Sequence, residues 1–211
     1  MNQKIIDDFW ESRAKIEDPR VATHFTKNDQ MLEYDYQFII KQVPAQSKIL
    51  DLGCGTCTLT NLLADHASFI RGVEKHEELL RFRSDTPNLE TVVSDITNYN
   101  DDIKYDAILL FGVLQYIVDD ELVSKIYKNC ARMLKPYGKL IIKHQSGVNE
   151  DVIINKYSSE IGHNYFSIYR HQKKELLLLS EYFSVETVDI YPLEMNRWSN
   201  THFYSYIATL K

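Results

Sequence analysis

The sequence predicts an α/β fold, a mostly parallel sheet with helices on both faces and an antiparallel pair of strands at its C-terminal edge. Three observations carry this prediction. Short apolar runs alternate with helix-patterned stretches from Lys48 to Tyr182. The strand runs are nearly continuously apolar, as strands buried on both faces are. Val185 to Tyr191 and Phe203 to Leu210 are strand-like runs with no helix pattern between them, so they pair antiparallel at the edge.

The elements follow in order. Ile5, Ile6, Phe9, Trp10, Arg13 and Ala14 recur at helical spacing up to Asp18-Pro19. Met31, Leu32, Tyr34, Phe38 and Ile39 repeat the pattern after Asn28 and Asp29, which serve as caps, and Val43-Pro44 ends that helix. Strands are predicted over Lys48 to Leu52, Phe69 to Glu74, Glu90 to Ser94, Tyr105 to Phe111 and Lys139 to Lys143. Helices are predicted over Leu59 to His66, Glu77 to Ser84, Asp119 to Leu134 and Lys173 to Tyr182. Between the fifth strand and the last helix, Gln145 to His171 is long, polar and rich in aromatics. A stretch of that length in a compact domain is functional or holds short structure of its own.

Composition sets the outer bounds. The 211 residues suit one domain, 1–211, with 1–43 as an N-terminal helical cap and 145–171 as an insertion. Hydrophobic content of 44% and charged content of 26% fit a folded chain. A formal net charge of -6 argues against nucleic acid or an anionic membrane as partner, since both select a positive surface. No apolar run approaches the ~20 residues of a membrane span, and the acidic, interrupted N-terminus does not read as a secretory signal, so the expected compartment is the cytoplasm. Three cysteines are too few for a disulfide framework, and no histidine spacing completes a zinc site.

The chemistry concentrates at Ile49 to Thr60, where an apolar run and Asp51 precede a Gly53-Cys54-Gly55 turn and a helix start. Glycines there let the backbone turn sharply and approach a bound molecule. Thr58 stands where a Gly-x-Gly-x-x-Gly motif has its third glycine, which weakens a dinucleotide reading. Cys54 and Cys57 form a C-x-x-C, so a thiol-disulfide oxidoreductase shares these residues.

Acidic residues recur at the carboxyl ends of successive strands: Asp51, Glu74 and Asp95. Any one of them is as readily a helix cap or dipole partner. Three at matching positions fit a ligand with hydroxyls, an exocyclic amine and a positive centre, and disfavour one held by its phosphates. Glu74, about twenty residues past the turn, is placed to accept two hydroxyl bonds from a ribose. Asp95 can accept from an adenine amine, with Ile96 against the ring.

These residues resemble the class I S-adenosylmethionine-dependent methyltransferases. The resemblance covers Lys48 to Lys143 by motif and extends by topology to Lys211. Asp51, Gly53 and Gly55 match the family's acidic residue and Gly-x-Gly-x-Gly, with Cys57 in place of the third glycine. Glu74 matches the ribose-binding acid, Ser94-Asp95-Ile96 the adenine segment, Tyr105 to Ile117 the fourth-strand motif, and Leu134 to Leu140 the turn into strand five. The resemblance implies a Rossmann-like seven-stranded sheet ending in an antiparallel hairpin, with S-adenosyl-L-methionine as cofactor. Asp51, Gly53, Cys54, Gly55, Glu74, Lys75, Asp95, Ile96 and Phe111 would hold it. The N-terminal helices would cover it, with Arg13 meeting its carboxylate.

Methyl transfer from a sulfonium is an in-line displacement, so alignment and exclusion of water dominate. His144, after strand five, is the candidate general base for a neutral hydroxyl. Tyr116, Tyr165, Tyr169 and Arg170 are the candidate acceptor wall, and aromatics beside Arg170 suit a sugar, a phosphorylated group or a small aromatic acid. The expected acceptor is a small polar molecule, foremost a hydroxyl of a sugar, sugar nucleotide or surface-polysaccharide unit. The amine of a small molecule or amino sugar is the alternative, and a non-catalytic cofactor binder a third reading. No carboxylate set stands out as a magnesium site, so no metal is expected. No Asn-Pro-Pro-Tyr or Asp-Pro-Pro-Tyr follows strand four, which speaks against the amino-methylating enzymes of nucleic acids.

Overall fold

The computed structural model describes residues 2–24, 30–159 and 161–211. The five apolar runs form parallel strands β1 (Lys48–Leu52), β2 (Phe69–Glu74), β3 (Leu89–Val93), β4 (Tyr105–Phe111) and β5 (Leu134–Gly147). A hairpin of β6 (Val152–Ser158) and β7 (His163–Tyr169) stands apart as a two-stranded sheet. Then β8 (Phe183–Val188) and β9 (Thr201–Leu210) complete the main sheet in the order β3-β2-β1-β4-β5-β9-β8. Strand β9 pairs antiparallel with both β5 and β8, as the sequence predicts.

Six helices flank the strands among the described residues: α1 (Asn2–Ala14), α2 (Pro19–His24), α3 (Gln30–Gln42), α4 (Thr58–Ala64), α5 (Asp120–Met133) and α6 (Gln172–Leu179). Strand alternation sends Ile49, Ile70, Leu109 and Ile141 to one face, where they meet Leu32 and Ile39 of α3 and Leu59 and Leu63 of α4. Leu50, Ile108, Leu140 and Ile142 go to the other face, against Val123, Ile126 and Tyr127 of α5 and Leu179 of α6. Burying each such aliphatic side chain contributes about 1.5–3 kcal/mol, so the two layers fix the sheet between them. Asp119 caps α5, its carboxylate accepting from the Glu121 N–H at 2.8 Å.

Several boundaries differ from expectation. Glu77 to Ser84 forms a 3-10 turn over Glu77–Phe82 rather than an α-helix, with Leu79 its one buried residue. Arg81 donates from this turn to the Ala14 and Ile16 carbonyls, tying it to the chain after α1. Strand β5 is longer than Lys139 to Lys143 because Leu134 pairs with Tyr105 of β4 at one end and β9 pairs with it as far as Gly147 opposite Thr201 at the other. Helix α2 was not anticipated, although Asp18-Pro19 carries its signal. Asp18 accepts from the Arg20 and Val21 N–H groups, and Pro19 occupies the first helical position. Gln145 to His171 holds the end of β5 and the hairpin β6–β7, which stacks on α1 through Phe9, Tyr165 and Phe166. Asn28 and Asp29, the expected caps of α3, lie outside the described residues. No helix among the described residues is long and apolar enough to cross a membrane.

Candidate functional site

The strand order reverses between β1 and β4, and in open sheets of this kind the carboxyl ends at the reversal border a crevice. The glycine turn lies there. Gly53 and Cys54 both donate to the Val73 carbonyl, at 2.7 and 3.1 Å, folding the turn back over β2. Gly53 has φ +78, and a Cβ on it would lie 2.4 Å from a Val113 methyl. Gly55 has φ +54, and the space of its absent Cβ holds the Thr23 methyl of α2. Cys57 takes φ 57 at the start of α4, the left-handed conformation that glycine adopts most easily. Gly53→Ala adds a Cβ at a crowded left-handed position, so cofactor affinity measured by calorimetry is expected to drop at least about tenfold, with the fold retained by circular dichroism.

The three strand-end acids occupy different environments. Asp51 is 4% exposed and accepts from the Thr60 hydroxyl at 2.6 Å. Burial pushes its carboxyl up to about 6, Thr60 opposes this, and the nearby Glu74 carboxylate adds to it. Glu74 receives the N–H groups of Gly55 at 3.0 Å, Lys75 at 2.8 Å and His76 at 2.9 Å, so one carboxylate links the glycine turn to the end of β2. Asp95 accepts from the N–H and hydroxyl of Thr97, and its other oxygen is 3.9 Å from Lys75 Nζ. Lys75 also reaches Asp7 of α1 at 2.8 Å, drawing that helix toward the strand tips. A cavity of about 210 Å³ opens beside Lys75, Asp95 and Thr97, walled by Ile117, Val118 and Leu122. Ile96 packs into the core cluster and does not line this cavity, so the apolar wall comes from the segment after β4.

Arg13, His144 and Arg170 are all buried among protein partners. Arg13 is buried and donates from Nε to the Ala22 carbonyl at 2.9 Å, joining α1 to α2. His144 does not stand at a strand tip, because β5 runs three residues further to Gly147. Its ring is 3% exposed and faces Glu175 of α6 at 3.6 Å, and Glu175 also accepts from the Tyr127 hydroxyl. Arg170 is 2% exposed and is held by protein partners. It donates to Asp120 at 2.8 Å, to the Leu114 carbonyl at 2.9 Å and to the Ile117 carbonyl. Those bonds secure the segment after β4. Tyr116 and Tyr165 meet hydroxyl to hydroxyl at 3.0 Å beneath α1, and Tyr169 is half-buried further along β7.

The thiols Cys54 and Cys57 are free, with sulfurs 3.8 Å apart. The bond to Cys57, burial, and the carboxylates of Asp51 and Glu74 all push the Cys54 thiol well above its ordinary range. A redox dithiol needs the opposite, a stabilised thiolate.

One polar cluster escaped the sequence reading. Lys143, one residue before His144, points to the opposite face and meets Asp35 of α3 at 3.0 Å, and Asp35 also accepts from the Tyr191 hydroxyl. Its signal was present as an acid at helical spacing between Leu32 and Ile39, on the buried face of α3.

The seven-stranded sheet, its antiparallel C-terminal hairpin and the glycine turn at the reversal define a class I S-adenosylmethionine-dependent methyltransferase fold. Residues 49–138 match the family described as Methyltransferase domain. Over those residues the chain is similar to the S-adenosylmethionine-dependent methyltransferases, and its fold is theirs. It is similar to the ubiquinone biosynthesis O-methyltransferase of Coxiella burnetii, 30% identical over 49% of this chain and 46% of that one. The chain spans about half the length of the curated relatives it matches. Among solved structures it is similar to phosphoethanolamine N-methyltransferase 1 of Haemonchus contortus, with a TM-score of 0.75 at 16% identity over 100% of this chain and 49% of that one. It is also similar to the N-methyltransferase NodS of Bradyrhizobium japonicum WM9, with a TM-score of 0.68 at 16% identity over 97% and 98% of the two chains.

Proposed function

We propose that the chain binds S-adenosyl-L-methionine across the tips of β1, β2 and β3 and transfers its methyl group to a hydroxyl of a small polar acceptor. The observation that carries this reading is the Glu74 carboxylate at the end of β2, bonded to Gly55 of the turn. Its position suits a ribose diol, Asp95 beside the cavity suits an adenine amine, and Asp51 lies beneath the turn. The relatives support the donor: the NodS and Haemonchus contortus structures are complexes with S-adenosylhomocysteine. Bound there, the cofactor supplies an electrophilic methyl on a sulfonium. The chain's part is to hold the donor at the turn, exclude water with α1 and α2, and align the acceptor.

The carbohydrate reading rested on Arg170 beside aromatics. With Arg170 committed to Asp120 and two carbonyls, the proposal keeps the hydroxyl and leaves out the sugar. An amine acceptor is the second reading, favoured by the names of the two structural relatives. His144, buried against Glu175, is not assigned as the base.

Calorimetry with S-adenosylmethionine and S-adenosylhomocysteine tests the proposal. Micromolar or tighter binding is expected, and a chain that binds neither is not a methyltransferase of this kind. The pH dependence is a second check. A carboxyl with a folded-state pKa of about 6 is protonated below that pH, and a ligand donating to it needs the carboxylate. Affinity should therefore fall as pH drops through about 6, and Asp51→Asn should flatten the profile there.

A further inference from the structure

Lys143, Asp35 and Tyr191 form a group that the donor site does not use. It lies beside that site. In the sheet Asp51 pairs with Leu109 and Phe111 pairs with Lys143, so Lys143 is level with Gly53 two strands away, about 10 Å across the sheet. Phe111 stands between them and shows the same face as Lys143. Helix α2 bridges the two places. Its Thr23 hydroxyl meets that of Thr56 in the turn at 2.9 Å, and the next residue, His24, acts electrostatically on Asp35.

The ammonium is built in rather than left in solvent. Lys143 is 13% exposed and Asp35 7%. Nζ lies 5.3 Å from the centre of the Phe111 ring and 5.6 Å from that of Tyr191, a cation set against two aromatic rings. Asp35 takes one of its three N–H donors at 3.0 Å. Burial pushes the Asp35 carboxyl up, while Lys143, the Tyr191 hydroxyl and His24 pull it back. Among the described residues, the charged and titratable groups recorded at this pair are Asp35 from α3 and Tyr191 after β8 against Lys143, and His24 from α2 acting on Asp35.

We propose that Lys143 is the acceptor contact: its ammonium, positioned by Asp35 and Tyr191, binds the nucleophilic oxygen of an acidic hydroxyl, phenolic or enolic, as the oxyanion. This rests on the donor site proposed above. The acceptor loses its proton to solvent on binding, because an opposite charge within reach favours the ionised form. The oxygen then forms the new O–C bond while the C–S bond breaks, and its electron pair stays on sulfur as a neutral thioether. The rings of Phe111 and Tyr191 suit a flat acceptor.

The probe is para-nitrophenol, whose ionisation is read by its colour, titrated against protein saturated with S-adenosylhomocysteine. The bound phenol should ionise about one pH unit or more below the free phenol. The double variant Lys143→Met with Asp35→Asn removes both charges together, so neither is left buried alone. It should bind S-adenosylhomocysteine within about threefold of wild type, keep its thermal transition, and lose the phenol shift. A wild-type protein that binds S-adenosylhomocysteine but leaves the phenol unshifted overturns the acceptor assignment and spares the donor site. So does a double variant that shifts the phenol as wild type does, or one that no longer folds while Lys143→Arg folds without moving the shift. Absence of S-adenosylhomocysteine binding overturns the donor reading, and this one with it.

Discussion

Replacing Glu74 by alanine is expected to weaken S-adenosylhomocysteine binding by about 10- to 100-fold. A hydrogen bond to a charged group contributes about 1.5–3 kcal/mol, and each 1.4 kcal/mol is about a factor of ten. Two effects add. Glu74→Ala removes the acceptor proposed for the ribose hydroxyls, and it releases the N–H groups of Gly55, Lys75 and His76, loosening the turn before any ligand arrives. Glu74→Gln separates the two, since an amide oxygen still accepts from one N–H but carries no charge. Its loss should be smaller than that of alanine. Calorimetry reads both variants, and wild-type affinity in Glu74→Ala would remove this residue from the donor site.

The largest effect on stability is expected at Glu175. This carboxylate is fully buried on α6 and joins two elements, facing His144 of β5 and accepting from the Tyr127 hydroxyl of α5. Glu175→Ala leaves His144 and Tyr127 buried without that partner and opens a cavity. Leaving a buried polar group without its partner costs about 1–3 kcal/mol, and the cavity adds to it, together a large part of a domain's net stability. Denaturant unfolding should show that loss, and adding His144→Ala should cost less than a second independent penalty because the two side chains act together. The pH dependence has a definite sign. Burial alone raises the Glu175 carboxyl, but the facing His144 ring, the Tyr127 hydroxyl and the nearby Arg170 outweigh it and hold it below its ordinary value. A carboxyl lowered by folding stabilises above its unfolded pKa, and that contribution disappears as pH falls through the folded one. Acid unfolding of Glu175→Ala should therefore be less steep than that of wild type. A loss under about 1 kcal/mol would show the pair to be a passive neighbour.

Much of the fold was legible because its signals are local. β1, β2 and β4 coincide with their predicted runs, since a continuous apolar stretch bounded by polar residues has few other ways to be buried. The glycine turn was legible for the same reason, because Asp51, Gly53 and Gly55 lie within five residues of one another. The failures share an opposite cause. β5 extends to Gly147 only because β9 lies beside it, and Glu77–Phe82 is a short 3-10 turn because it is tied to the chain after α1. Arg170, expected on the acceptor wall among aromatics, is bonded to Asp120, fifty residues earlier in the chain, a partner that no local spacing signals.

The amino-acid sequence by itself determined the class of this protein: the alternating strands and helices, the glycine turn and the acids at the strand ends are all short-range patterns. Tertiary structure alone decided which charges work outside the core and which work within it. His144 and Lys143 are adjacent in the chain, and strand alternation sends one to Glu175 and the other to Asp35. Tyr191 reaches Asp35 across 156 residues, a separation at which no local spacing carries a signal. Burial makes each pairing matter, because a charge withdrawn from water must find its partner wherever the fold brings one.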